Sequence, residues 1–298
     1  MNSSRNHYLA AIAAFAIWGF FSIPLRALKA YSAGEILYFR ILFSSLVLLV
    51  IVFGFKRNDL RKDIAFIQSF TPAKRRNVVL LTLSGGALLT VNWLTFIYIV
   101  NHINIKTASF SYLICPVITA VLGYVLIKEK MTMLQWVAVA LCTLSCVVMG
   151  MNSALELGYS FLTAFTYALY LISQRKNQGF DRMIVLCVQV LFSFFILNIF
   201  YGQLIHEIPT GVTFYSIILG IAVLFTVLPL FLNLFALNRI NSATIGILMY
   251  LNPLINFSVA FLVFGETVNS IQVAGYGIIV VALVVFNYPA VRQLAASR

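Results

Sequence analysis

Long apolar runs separated by short polar breaks are the dominant pattern of this 298-residue chain. A helix that crosses the hydrocarbon core of a bilayer needs about 20 consecutive apolar residues. Runs of about this length recur along the chain, each bounded by charged, asparagine-rich or Gly/Pro-containing segments. The pattern predicts ten membrane-spanning helices, at 8–28, 32–55, 78–100, 105–127, 132–149, 155–173, 183–200, 214–237, 242–264 and 270–286.

Composition agrees with a bilayer as the solvent of this chain. Hydrophobic residues make up 62% of it and charged residues only 9%, whereas soluble proteins are about one quarter charged. This excludes soluble enzymes and nucleic-acid binders. The net charge of +12 lies in the gaps between apolar runs, which indicates membrane orientation and not affinity for DNA.

The distribution of basic residues predicts the orientation. With a cytoplasmic N-terminus, only Arg26, Lys29 and Lys106 of the 20 basic residues fall in outer connections, and Arg40 lies within a span. Because Lys and Arg accumulate in cytoplasmic loops, we expect both termini in the cytoplasm of a multi-pass protein of the plasma membrane, in bacteria the inner membrane. The first span is long and is followed by others, so we do not expect a cleaved signal peptide.

Residues 56–77 form the one long polar connection and are rich in Lys and Arg. The favoured interpretation is a cytoplasmic loop that fixes topology, and the alternative is a surface for anionic lipid or a regulator.

An internal repeat appears when the chain is compared with itself at a shift of 137 residues. The matched pairs are Asn101 with Asn238, Asn104 with Asn241, Pro116 with Pro253, Glu129 with Glu266 and Gln135 with Gln272. The repeat divides the chain into halves at 1–150 and 151–298. Each half holds five predicted spans, an odd number, so the second half enters the membrane in the opposite sense. Inverted repeats of this kind are typical of secondary transporters; a duplicated scaffold without transport is the alternative.

Several motifs resemble the EamA-domain transporters of the drug/metabolite transporter superfamily, in particular its RarD-type branch. They are WGF in the first span, FR ending at Arg40, NW at Asn92 and Trp93, ASFSYLICPVITAVLGYVLIKEK, and IGILMYLNPLINFSVAFLVFGE. The resemblance covers nearly the whole chain. It implies an all-α polytopic protein with ten helices around a central cavity lined by spans 1, 3, 4, 6, 8 and 9, and export or exchange of amino acids and other small metabolites. The chain departs from the branch at Cys115, where an Asn often precedes the proline as Asn252 does here.

Polar residues at mid-span mark the candidate site, because polar groups inside a bilayer usually face the protein interior or a water-filled cavity. Asn252 and Asn256 share one helical face beside Pro253, and their repeat partners lie beside Pro116, with Tyr112 one turn earlier. We expect both prolines to break their helices and expose backbone groups to a solute. The alternative is that the asparagines bond neighbouring helices.

Further aromatic and amide side chains are expected to complete the cavity, and they suit a small zwitterionic or planar solute. These residues are Trp18, Asn92, Trp93, Tyr167, Tyr170 and Asn233. Each aromatic residue taken alone is equally explained by packing or by an interfacial position.

Arg40 is the one basic residue deep within a span, where an unpaired charge costs about 2.5–3.5 kcal/mol on insertion scales. Its partner is Glu35, a helix-terminal carbonyl or a carboxylate of the substrate; the sequence favours structural anchoring.

Other chemistry is not indicated. All carboxylates fall in connections or at span ends, so we expect facilitated diffusion or exchange; proton coupling is the alternative, without an evident residue to carry it. We expect Glu129 and Glu266 to cap helices or to fix the short turns and not to bind the substrate. No catalytic constellation, cofactor motif or metal site is seen, and the four cysteines lie in apolar runs. The expected partners are a small-molecule substrate and membrane lipids, with no nucleic acid. A channel, an intramembrane enzyme and a homodimer remain open alternatives.

Overall fold

The computed structural model describes residues 2–102, 105–149, 154–263, 265 and 270–296, and these residues form helices and no strand. The helices are α1 Asn2–Gly19, α2 Ser22–Ala27, α3 Ala33–Phe55, α4 Arg57–Gln68, α5 Pro72–His102, α6 Ile105–Ile127, α7 Met133–Met149, α8 Ala154–Lys176, α9 Arg182–Ile199, α10 Tyr201–Leu204, α11 Val212–Gly220, α12 Leu228–Leu237, α13 Ser242–Leu248, α14 Leu251–Leu262 and α15 Ser270–Ala296. A π-helical segment, Ile221–Val227, joins α11 to α12.

Eight segments in the described residues are long and apolar enough to cross a membrane. Two shorter apolar helices, Met133–Met149 and Val273–Phe286, occupy the positions of the fifth and tenth predicted spans. The outer surface of the bundle is apolar, as α3 illustrates. Leu46, Val50 and Phe53 are 48, 65 and 60% exposed on one face, while Leu48 and Val52 are buried. Such a surface suits lipid and not water, so the chain is a multi-pass membrane protein.

The ninth predicted span is broken, and Pro253 explains the break. The chain leaves α13 after Leu248 and enters α14 at Leu251. Pro253 has no N–H to donate to the carbonyl four residues earlier, on Met249. The Asn252 N–H donates to that carbonyl instead, at 3.0 Å, in a tighter turn. Asn252 and Pro253 therefore lie at the junction of two half-helices.

At Pro116 the structure differs from the sequence-based expectation, because α6 runs uninterrupted through the proline. Packing provides the reason: α6 makes its most extensive contact with α8, and a helix held along its length tolerates the loss of one backbone hydrogen bond. Tyr250, at the break in the ninth span, donates its hydroxyl to the Leu113 carbonyl of α6 at 2.7 Å.

Helices from the two predicted halves pack against one another throughout the bundle. α6 and α5 both pack on α8, α1 packs on α12 and α14, and α7 packs on α15. At the α7–α15 contact the Ser145 hydroxyl donates to the Gly275 carbonyl at 2.8 Å. Small residues such as Ser145 and Gly275 let two helices approach closely.

Residues 56–77 are largely helical and do not form an open loop, since they hold α4 and the first turn of α5. α4 is docked on the connection between α8 and α9. The Lys56 ammonium donates to the Asp181 carboxylate at 2.8 Å, and Asp63 accepts the Asp181 N–H at 3.0 Å. Hydrogen bonds to Asp181 and Asp59 raise the pKa of Lys56. We call this end of the bundle, where Lys56, Asp181 and Arg175 lie, the basic end.

Because α5 packs closely on α9 at Gly86, a side chain added at this glycine should destabilise the protein. A Cβ at Gly86 would lie 2.8 Å from the Gln189 carbonyl oxygen and 3.1 Å from the Phe192 ring. We expect Gly86→Ala to destabilise the protein by about 1–3 kcal/mol, the usual cost of overpacking. A lower melting temperature in detergent would show this.

Gly158 of α8 is the matched control, because a Cβ there meets nothing within 4 Å. Gly158→Ala should leave the melting temperature unchanged or raise it slightly. Equal effects of the two substitutions would contradict the described α5–α9 contact.

Candidate functional site

Tyr167 of α8 is the centre of an aromatic cluster inside the bundle. Its ring is 6.4 Å from Trp18 of α1 and 6.5 Å from Tyr112 of α6, both edge-to-face, and 5.7 Å from Tyr170. The Asn233 amide of α12 donates to the Tyr167 hydroxyl at 3.2 Å. Five residues singled out by the sequence therefore meet in one place, which we call the Tyr167 cluster.

Three polar atoms at or near the Tyr167 cluster are buried without a hydrogen-bond partner in the described part of the chain. They are the Asn233 Oδ1, the Tyr170 hydroxyl and the Asn92 Oδ1. Buried polar atoms in folded proteins are nearly always paired, with protein, water or a ligand. These three atoms have no protein partner among the described residues.

Asn92 joins α5 to α8 next to the cluster. Its amide donates to the Thr163 carbonyl at 2.8 Å, one turn before Tyr167. The Asn92 amide thus bonds two helices, while its amide oxygen has no hydrogen-bond partner among the described residues.

A distortion of the eighth predicted span receives the Trp18 indole. The Trp18 N–H donates to the Phe225 carbonyl, in the π-helical segment, at 2.9 Å. Pro229 follows four residues later and has no N–H to give that carbonyl. Sequence reasoning missed this element, and π-helical segments are frequent at functional sites. Pro229 within an apolar run was the signal that could have revealed it.

Arg40 and Trp93 form a second group beside the cluster. The Arg40 guanidinium carbon lies 5.2 Å from the Trp93 ring centre and 5.8 Å from that of Phe21. Phe21 in turn packs 5.6 Å from Phe225, the residue whose carbonyl binds Trp18. The two groups are thus adjacent.

Asn252 and Asn256 are not in described contact with the Tyr167 cluster. Both are half-buried on α14, and their side-chain amides make no hydrogen bond to any residue that the structure describes. α14 packs tightly on α1, since a Cβ at Gly19 would lie 2.6 Å from the Ile255 Cβ and 3.3 Å from the Asn252 carbonyl. The two asparagines therefore adjoin the helix that carries Trp18.

At the basic end, Glu129 caps α13, a helix of the second predicted half. Its carboxylate accepts hydrogen bonds from the Ser242 N–H at 2.8 Å, the Ser242 hydroxyl at 2.7 Å and the Ala243 N–H at 3.1 Å. Arg175 lies 3.7 Å away. A carboxylate at a helix N-terminus is stabilised by the unpaired N–H groups and the helix dipole. The capping role expected for Glu129 is seen, and Glu266 lies outside the described residues.

In the described part of the chain, no group of three or more His, Cys, Asp or Glu residues is placed to hold a metal ion. Cys115 and Cys142 are buried within helices.

Comparison with known proteins gives a consistent result. The EamA-like transporter family model matches residues 6–151 and again 155–288. The uncharacterized transporter YojE of Bacillus subtilis is 28% identical over 95% of this chain and 94% of its own length. Protein RarD of Escherichia coli is 28% identical, over 97% of this chain and 96% of that protein. Protein RarD of Streptomyces exfoliatus is 26% identical, over 100% and 93%.

A crystal structure at 12% sequence identity superposes with a TM-score of 0.75, covering 96% of this chain and 98% of the other, which shows a shared fold. The family match extends over nearly all of the chain, and relatives named RarD align along the same length. The chain therefore belongs to the EamA-like transporter family, as a RarD-like member of the drug/metabolite transporter superfamily.

Proposed function

We propose that this protein is a secondary transporter that moves a small metabolite, such as an amino acid or a drug-like compound, by alternating access. The observation that carries the proposal is the Tyr167 cluster. Trp18 and Tyr112 come from the first predicted half, and Tyr167, Tyr170 and Asn233 come from the second. A binding site built from both halves changes its exposure when the halves move relative to each other.

Ten spans are the number that this proposal requires. Eight segments qualify by length and composition, and Met133–Met149 and Val273–Phe286 are the two shorter apolar helices. A helix of 17 residues, as α7 is, reaches the lower limit for crossing the hydrocarbon core. Both shorter helices lie where the fifth and tenth spans are predicted, which supports the count.

The inverted repeat is supported by one hydrogen bond. Tyr250 donates to the Leu113 carbonyl, and these residues are 137 positions apart, which is the shift that relates the two halves, 1–150 and 151–298. Equivalent positions touch each other only near the axis that relates two repeats. The family model also matches twice, once in each half.

The basic end is proposed to face the cytoplasm of the plasma membrane, with both termini on that side, because Lys and Arg accumulate in cytoplasmic connections. The Glu129 contacts, which join the end of α6 to the start of α13, are proposed to close this end. The substrate would then reach the Tyr167 cluster from the cytoplasm only after those contacts open.

The proposed mode of transport is facilitated diffusion or exchange. The solute would be exported, or exchanged for another solute. Within the described ranges, every carboxylate lies in the first turn of a helix, in α4 or in a connection. Glu35 and Glu129 are further engaged in capping. A proton carrier within a span is therefore not supplied by these side chains.

Counterflow in proteoliposomes tests the function. Vesicles loaded with unlabelled L-leucine, L-phenylalanine, L-glutamate and uridine, each in a separate preparation, are diluted into the radiolabelled solute. The proposal predicts saturable accumulation of at least one label that depends on the internal solute. An ion current without saturable exchange would support a channel, and the absence of both activities would support the non-transporting scaffold.

A further inference from the structure

Arg40 places a positive charge inside the bundle, within the third described helix. It lies seven residues after Ala33, about 10 Å along the axis of α3. The side chain is half-buried, and its Nε is a buried atom with no hydrogen-bond partner in the described ranges. A charged group at this depth requires a compensating partner or a function.

The partners available within the chain are otherwise engaged or too distant. Glu35, the nearest acid in sequence, completes a capping box at the start of α3: its carboxylate accepts the Ser32 N–H at 2.9 Å, and its own N–H donates to the Ser32 hydroxyl at 3.2 Å. No carboxylate of the described residues lies within 4 Å of the Arg40 guanidinium, and none of their carbonyls accepts from it.

The rings around Arg40 leave the hydrogen-bonding edge of the guanidinium unused. Trp93 and Phe21 lie 5.2 and 5.8 Å from its central carbon, and aromatic faces attract a cation without accepting its N–H groups as carboxylates do. Tyr112 belongs to the Tyr167 cluster, which adjoins this group. A planar guanidinium with free N–H groups is well suited to bind a carboxylate through two parallel hydrogen bonds.

We propose that Arg40 binds the carboxylate of the transported solute and that Trp93 and Tyr112 contact its flat or apolar body. This inference rests on the proposed transport function and names its substrate class, small carboxylic acids. The position next to Phe21 and Phe225 connects this subsite to the Tyr167 cluster. Amides of the same shape then bind more weakly, because an amide offers the guanidinium one uncharged carbonyl oxygen in place of two carboxylate oxygens.

Matched acid and amide pairs test the proposal. The probes are L-phenylalanine and L-phenylalaninamide, L-leucine and L-leucinamide, and phenylacetate and phenylacetamide. A ligand that binds the folded protein raises its melting temperature by mass action, so melting of purified protein in detergent reports binding of each probe. We expect at least one acid to stabilise the wild type, with an affinity at least tenfold above that of its amide.

Arg40→Gln should abolish the preference for the acid, while Lys29→Gln, which removes a charge from an exposed connection, should retain it. Because Arg40 has no described polar partner, we also expect Arg40→Gln to melt within a few degrees of the wild type. A structural anchor would instead lower the melting temperature. Arg40→Lys keeps the positive charge and should keep part of the preference for the acid. This second variant tests the proposal even if Arg40→Gln does not fold.

The outcomes separate the two proposals. If the amides bind as well as the matched acids, or if Arg40→Gln keeps the preference, the role of Arg40 is wrong while the transport function stands. If no acid or neutral solute binds and counterflow is also absent, the transport function fails and this inference fails with it.

Discussion

Replacement of Glu129 by alanine is expected to open the basic end of the bundle and to expose its interior from that side. The buried carboxylate holds the first turn of α13 through Ser242 and Ala243 and lies beside Arg175. Removing one partner from such a buried, charge-assisted set costs about 3 kcal/mol. If the closed and open conformations differ mainly by these contacts, their ratio changes about a hundredfold, at roughly 1.4 kcal/mol per factor of ten.

Labelling of Cys115 measures this opening. Its thiol is buried on α6, three residues after Tyr112, and the other three cysteines are replaced by alanine. In inside-out membrane vesicles treated with a membrane-impermeant maleimide, Glu129→Ala should label at least tenfold faster than the parent. Glu129→Gln, which keeps one carbonyl oxygen, should be intermediate.

Glu207 supplies the control, since it is exposed in the connection between α10 and α11 at the opposite end. Glu207→Ala should label at the parental rate. Unchanged labelling of Cys115 in Glu129→Ala would mean that these contacts do not control access from the basic end.

Replacement of Tyr167 by alanine is expected to reduce both stability and transport strongly, because it removes the ring that contacts Trp18, Tyr112 and Tyr170. Loss of a buried aromatic side chain costs about 3–5 kcal/mol. We expect transport, once a solute is identified by counterflow, to fall at least tenfold.

Tyr167→Phe isolates the hydroxyl, which accepts the Asn233 amide at 3.2 Å. The substitution keeps the ring contacts but leaves that amide without its acceptor, a loss of about 1–3 kcal/mol. We expect the KM to rise more than kcat falls, provided that the Asn233 amide binds the solute.

Phe161→Ala is the control on the same helix. Phe161 is 51% exposed and stacks on Phe165, so transport should remain near the wild-type rate. A Phe161→Ala variant as defective as Tyr167→Ala would indicate that α8 matters for stability alone.

The membrane-spanning helices were largely predictable because each needs a long apolar run. The start of α5 was not, since its first turn is polar and resembles a loop: the helix begins at Pro72, whereas the apolar pattern begins at Val78. The helix break near Pro253 was predictable from the missing N–H of proline. At Pro116 the same rule failed, because packing on α8 holds α6 straight.

The candidate site was predictable in composition but not in arrangement. Polar residues at mid-span identified Trp18, Tyr112, Tyr167 and Asn233, since such groups are rare in lipid. Only the fold shows that Tyr167 contacts the other three residues. The partner of Arg40 could not be predicted from the sequence, which left Glu35 as a candidate. In the structure Glu35 forms a capping box with Ser32 and is therefore not the partner of Arg40.

The central claim is that a small solute binds at the Tyr167 cluster, which includes Asn233. The most direct measurement is a thermal-shift screen of the purified protein against amino acids, nucleosides, vitamins and planar drugs at millimolar concentration, with Asn233→Ala alongside. Ser258→Ala, on the exposed face of α14, is the control. The account predicts that at least one solute raises the melting temperature of the wild type and of Ser258→Ala but not that of Asn233→Ala. Stabilisation that persists in Asn233→Ala, or no stabilisation by any solute, would contradict it.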